Sequence, residues 1–370
     1  MNDKRPLTLV HGWRRLGGRF CVVIALAGCG SGGGDEAPAP SGTSPPSIAA
    51  VVTNTSHLEV VFDASRARLY AAGFSRAVTA DPTLIVIDAQ TGASRELPAR
   101  PNMRWGTTYR PGLISLSSSG RFLYFINESH QVARFNLNNE VVDFIVPPPS
   151  SWGPNARVER IVASPIDDLT VYAELSGVNS GGVSLGAVTD QSWMPRRLDI
   201  AAASSLTAPA VNLQASELLV TLSDGRFRRV RVLSDGIGEV IAEVPNGFPS
   251  FLFTAKPAYL TDGILLGFNV YDSMTLAYRV SIPSASHCTA LGTGARLACY
   301  GFSSQGAYRL FVYDRVATQR VSEWSAIPPT ETPVAITAGA GKVAVSYQGF
   351  SRLGGLFPSH IAIYSDPAFN

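Results

Sequence analysis

The sequence predicts an all-β protein built as a closed ring of seven four-stranded sheets, and three observations predict it. No segment keeps a 3.6-residue apolar period; short alternating or β-branched runs recur instead, punctuated by Gly, Asp, Asn and Ser. These runs come in fours at a near-constant spacing, the mark of a β-propeller. The chain from residue 47 onward also carries a spare strand at its start and lacks one in its last unit.

The units follow one another in order. The first holds Leu58–Asp63, Arg68–Ala72, Thr83–Asp88 and Ser94–Leu97; the second holds Gly112–Leu116, Arg121–Ile126, Val132–Leu137 and Val141–Ile145. Later units centre on Arg160–Ala163 with Leu169–Tyr172, on Ala210–Leu213 with Glu217–Thr221, and on Ile264–Phe268. The last two centre on Arg309–Tyr313, and on Val334–Thr337 with Lys342–Ser346. Residues 47–370 divide into seven units of about 46, six of about 54 or eight of about 40; the usual repeat of ~40–50 favours seven, with six or eight still open. The fifth unit, 250–283, fits least well. The seventh ends at His360–Tyr364 with three strands, so Ser47–Thr53 is expected to complete it as its outer strand and remove an exposed edge.

Ahead of the ring lies a leader. Lys4, Arg5, Arg14, Arg15 and Arg19 precede an apolar stretch from Phe20 to Gly28, far shorter than the ~20 residues of a membrane-spanning helix. Leu26-Ala27-Gly28-Cys29 resembles the bacterial lipobox. That resemblance implies cleavage before Cys29 and acylation of its thiol. It divides the chain into a lipoprotein signal peptide (1–28), a lipidated flexible tether (29–46) and the β-propeller (47–370). Residues 30–46 are Gly, Ser, Pro, Ala, Thr and two acids, with nothing to bury. By analogy with bacterial lipoprotein sorting, Gly30 in place of an aspartate implies outer-membrane delivery. The expected location is the bacterial cell envelope, held to the membrane through lipid on Cys29.

Five of the 30 basic residues and one of the 28 acidic residues lie in 1–28, leaving 25 against 27 in the mature chain. The apparent basicity belongs to the leader, so no nucleic acid is implied as a partner. Beyond Cys29 two cysteines remain in the mature chain, Cys288 and Cys299. A turn centred between Thr293 and Gly294 sets them opposite each other on neighbouring strands, and in an oxidising compartment this predicts a cross-strand disulfide. With His287 the two thiols lack a fourth ligand for a structural metal site, so no metal is expected there.

Arg68-Leu69-Tyr70, Leu84–Asp88 with Thr91-Gly92, and Ser118–Tyr124 resemble the YVTN and lactonase-like seven-bladed propeller repeats. Those families place Asp before the glycine that here is Gly120; this chain has Ser119. The resemblance covers the region after the tether and implies architecture. Scaffolds, binding modules and some enzymes share it, so it selects no function.

Candidate chemistry is sparse. Asp88, Asp272 and Asp314, with Asn138 in the second unit, recur at strand ends, where such side chains bond their own turn backbone. Asp167-Asp168 reads as a turn pair and lacks the spaced partners of a calcium site. His57, His130, His287 and His360 show no metal spacing, and no nucleophile elbow appears. No catalytic residue and no cofactor is predicted. Arg226, Arg228, Arg229 and Arg231 form the densest charge cluster and a candidate anion-binding stripe. Connections between units carry aromatic and arginine residues suited to binding: Arg104, Trp105 and Tyr109, then Trp152, Trp324 and Arg352. The leading expectation is a non-catalytic scaffold for a protein or envelope-glycan partner. The alternatives are a lactonase-like hydrolase, a metal- or quinone-dependent sugar dehydrogenase, and an outer-membrane assembly factor resembling the eight-bladed propeller lipoprotein of the β-barrel assembly machinery.

Overall fold

The computed structural model describes residues 47–55, 57–73, 84–97, 112–179, 182–200, 209–222, 226–244, 256–302, 308–324, 331–349 and 359–370. The signal peptide (1–28) and tether (29–46) expected from the sequence lie outside the described residues. The strands that follow form seven antiparallel sheets, each a blade with its first strand innermost.

Blade 1 runs β2 (His57–Asp63), β3 (Arg68–Gly73), β4 (Leu84–Asp88) and β5 (Ser94–Glu96). Blade 2 runs β6 (Ile114–Leu116), β7 (Phe122–Ile126), β8 (Val132–Asn136) and β9 (Val141–Val146). Blade 3 holds β10 (Arg157–Ala163), β11 (Thr170–Ser176), β12 (Val183–Thr189), β13 (Ser192–Trp193) and β14 (Leu198–Ile200). Blade 4 holds β15 (Ala210–Val211), β16 (Glu217–Thr221), β17 (Phe227–Leu233) and β18 (Gly236–Val244). Blade 5 holds β19 (Ala258–Tyr259), β20 (Gly263–Leu266), β21 (Asn269–Asp272) and β22 (Tyr278–Ser281). Blade 6 holds β23 (Ala285–Leu291), β24 (Arg296–Phe302), β25 (Tyr308–Asp314) and β26 (Gln319–Trp324). Blade 7 combines β27 (Glu331–Gly339), β28 (Lys342–Gly349) and β29 (Ser359–Ser365) with β1 (Ser47–Thr55).

Period-2 alternation explains why the core lies between blades. In β3, Leu69 and Ala71 face blade 7 and join Ile361 and Ile363, while Tyr70 and Ala72 face blade 2 and join Leu123 and Phe125. Both faces of a middle strand are thus covered, so β7 reads Phe-Leu-Tyr-Phe-Ile with every residue buried. Phe122 and Tyr124 meet Val158 and Val171 of blade 3. Tyr172 and Leu185 meet Leu218 of blade 4, Phe227 meets Tyr271 of blade 5, and Leu265 meets Phe311 of blade 6. Tyr300 and Trp324 of blade 6 pack with Tyr347 and Tyr364 of blade 7. The apolar layers therefore close a circle through the 7–1 junction.

Closure is also made by backbone. β1 pairs antiparallel with β29 from Ser47↔Ser365 to Thr55↔Ser359, so the strand expected at the start of the chain is the outer strand of the last blade, two residues longer than expected. Blade 5, the poorest match by sequence, has strands of only two to four residues. Blade 3 carries a fifth strand because its outer position is broken. β12 pairs with both β13 and β14, and between them Arg196 leaves the sheet to bridge Gly236 of blade 4.

Candidate functional site

The ring has two unlike faces. Turns joining first to second and third to fourth strands lie on one, here called the turn face. Connections between second and third strands, and from one blade to the next, lie on the loop face.

Hydrogen bonds link the turns across blades. Arg66 in the β2–β3 turn donates to the Gly120 carbonyl at 2.6 Å and pairs with Asp63 at 2.8 Å. Gly120 has φ +70°, and a Cβ there would fall 2.9 Å from the Arg66 guanidinium, so the approach requires glycine. Ser118 Oγ and the Ser119 amide both donate to Asp168 of blade 3, at 3.0 and 2.8 Å, and the Ser119 hydroxyl donates to the same carboxylate. This accounts for serine where the resembled repeats carry aspartate: a second carboxylate here would face Asp168. Asp167 accepts from the Leu169 and Thr170 amides, so the acidic pair is a turn cap and a blade latch.

The recurring acids are turn caps as expected. Asp88 accepts from the Gln90 and Thr91 amides, Asp272 from Met274 and Thr275, and Asp314 from Val316 and Ala317. In blade 2 the role falls to Asn136, which accepts from the Asn138 amide; Asn138 itself accepts from Arg66. The sequence assignment was two residues late.

The arginines of the expected anion stripe are ion-paired within their own blade. Arg226 and Arg228 both pair with Glu243, Arg229 with Glu217 and Arg231 with Glu239. Glu217 lies opposite Arg231, and Glu243 opposite Arg228, so the sheet register itself supplies the carboxylates. The Arg229 guanidinium also donates to the Met274 carbonyl of blade 5. Arg229 thus braces blade 4 against blade 5.

Arg104, Trp105, Tyr109 and Arg352 fall in 98–111 and 350–358, outside the described residues. Trp152 and Trp324 are described, and both are packing residues. Trp152 ends a 3₁₀ turn (Ser150–Trp152) and is buried with Leu175 and Val178. It meets Trp193 edge-on at 5.0 Å with Arg197 stacked above it, and Gly186 leaves the space both indoles fill. Trp324 is the last residue of β26, 2 % exposed, and packs edge-on against Phe369 at 5.5 Å. Neither indole is available to a partner.

Several groups went unnoticed in the sequence. Glu59, on the innermost strand of blade 1, is buried and accepts from the Gly112 and Leu113 amides of blade 2, each at 2.7 Å. Burial raises its pKa, while the charge of Lys256 and the amides of Gly112, Leu113 and Ile114 oppose that rise. Arg160 and Glu174 form a buried pair at 2.8 Å across β10 and β11. Arg134 is held by Asp143 at 2.9 Å between the rings of Phe122 and Phe144. Their signal was a charged residue inside an apolar strand run.

In blade 6, Cys288 and Cys299 are register partners joined by a disulfide, as expected. One residue earlier on β23, His287 stacks on Tyr300 at 5.1 Å. Burial lowers the His287 pKa to about 4 and raises that of Tyr300. Blade 7 repeats the pairing, with Tyr347 stacked on His360 at 4.6 Å and its hydroxyl 2.7 Å from that of Tyr364. Among the described residues no three His, Cys, Asp or Glu side chains gather as a metal site.

Comparison with solved structures places this arrangement. The chain is similar to the β-propeller domain of Myceliophteria thermophila Cps50 (Swd1), with a TM-score of 0.60 and 15% identity over 87% of this chain and all of that one. The likeness is one of fold. At that identity it carries no activity, since propellers host many. No family model matches the sequence, and no curated protein matches it.

Proposed function

We propose that this chain is a bacterial envelope lipoprotein, delivered to the outer membrane and anchored through acyl chains on Cys29. Its propeller serves as a non-catalytic scaffold that captures a protein or envelope-glycan partner on the loop face. The observation that carries the reading is Leu26-Ala27-Gly28-Cys29 behind a basic, apolar leader and ahead of a tether with nothing to bury. The Cys288–Cys299 bridge supports an oxidising compartment. With seven blades the ring departs from the eight-bladed assembly factor, and that reading is not carried forward.

The binding residues reduce to Arg104, Trp105, Tyr109 and Arg352. Alanine at these four positions is expected to abolish partner capture from envelope extracts while leaving the thermal midpoint unchanged. Trp152→Ala is expected to do the reverse, costing about 3 kcal/mol of stability through the cavity it opens. Full capture by the loop variants would remove the site from this face.

A further inference from the structure

β1 is the outer strand of blade 7, and among the described residues β29 is its one strand partner. Its other edge presents backbone amides and carbonyls outside the sheet, as any outer strand does, and such a row is a template for one more strand. What separates β1 from the other outer strands is its sequence.

The other blades put charge on that edge. The outer strand carries Arg95 and Glu96 in blade 1, Asp143 in blade 2 and Asp199 in blade 3. It carries Glu239 and Glu243 in blade 4, Arg279 in blade 5, and Arg320 and Glu323 in blade 6. Only β18 matches the nine residues of β1, and β18 holds two glutamates. β1 reads Ser-Ile-Ala-Ala-Val-Val-Thr-Asn-Thr, with no charge, no Pro and no Gly. A charged edge resists a second strand, because pairing would strip water from the charge; β1 has no such guard.

Register decides what this edge shows. Ile48 pairs with Tyr364, Ala50 with Ile363 and Val51 with Ala362, which leaves Ala49 as a bulge. Opposed residues share a face of the sheet, and Tyr364 and Ala362 both pack toward blade 6. Ile48 and Val51 therefore come to one face, where an unbroken strand would set them on opposite faces. They are 50% and 46% exposed. Ala50 goes to the other face, against Gly92 of blade 1. A bulge commonly turns an edge away from partners; this one assembles an apolar pair on it.

We propose that β1 is a dimer seam, paired antiparallel with β1 of a second copy about a two-fold axis beside Ala49 and Ala50. The occupant is a second copy because the strand complements itself. Ile48 of one copy meets Val51 of the other, and Val51 meets Ile48. No like charges face each other across the axis, as the glutamates of β18 would if that strand met its own copy. Two four-stranded blades join into one continuous sheet, an isologous contact that closes at two copies.

The test uses purified full-length protein mixed from isotopically light and heavy batches, with p-benzoylphenylalanine in place of Val51. Light–heavy crosslinks that join Ser47–Thr55 to Ser47–Thr55 are expected. None are expected when the same probe replaces Val141, an exposed apolar residue of β9. Val51→Lys is expected to weaken the dimer about tenfold or more in sedimentation equilibrium, with an unchanged circular dichroism spectrum. Ile48→Glu alone should do the same. Mixing the two variants should restore a heterodimer, because opposite charges then meet across the axis. Three results overturn the proposal: a parent that is monomeric in solution, including one whose probe captures only other proteins from extracts; crosslinks to another part of the second copy; or a dimer untouched by Val51→Lys. Should a charged variant fail to fold, the crosslink pattern decides alone, since the probe places no charge on the strand.

Discussion

His287 lies one residue from the disulfide, stacked on Tyr300, and its surroundings hold the imidazole neutral well below its ordinary range, at about 4. The unfolded chain binds this proton near pH 6.5, so between 6.5 and 4 the unfolded state carries more protons than the folded one. Stability is therefore complete above pH 6.5 and declines as pH falls toward 4, by up to about 3 kcal/mol for this group. Carboxylates held below their usual range, such as Asp63 with Ser65 and Arg66, lose their contribution at lower pH still. His287→Phe keeps a ring against Tyr300 and removes the titration. Urea unfolding from pH 7.5 to 4.5 should give a flatter curve for this variant than for the parent; parallel curves would show that the ring is not held neutral by the fold.

At the scale of elements, the β23–β24 hairpin shows what sequence pattern can and cannot reveal. The centre of its turn, read from Gly292-Thr293-Gly294, set the register that pairs Cys288 with Cys299. The bridge closes a separation of 11 residues and should stabilise by about 3 kcal/mol, chiefly by restricting the unfolded chain. Reductant should lower the unfolding midpoint of the parent and leave Cys288→Ala/Cys299→Ala unmoved; equal midpoints with and without reductant would show that the bridge does not form. Period-2 alternation made the other strands legible in the same way, because neighbouring blades cover both faces of each middle strand. The candidate site was less legible. Trp152 and Trp324 were assigned to binding because aromatic residues at connections serve recognition and packing equally, and only Gly186, Trp193 and Phe369 show which role they fill. The arginine run of β17 had the same ambiguity, since its carboxylates come from β16 and β18 and are distant in sequence.

For the whole molecule, ring closure rests on one strand. β1 completes blade 7, and in the proposed reading the residue before it ends a tether that begins at Cys29. Closure was legible because an unpaired strand and a three-stranded unit sit at opposite ends of one sequence. The direction of β1 was not, since register decides which face the tether leaves from. The proposed function holds the ring to a membrane through acyl chains on Cys29. The measurement that tests this most directly is mass spectrometry of the N-terminal peptide of the mature protein, taken from the membrane fraction. It should begin at Cys29 and carry the added mass of acyl chains. A first residue other than Cys29, or an unmodified Cys29, would contradict the account.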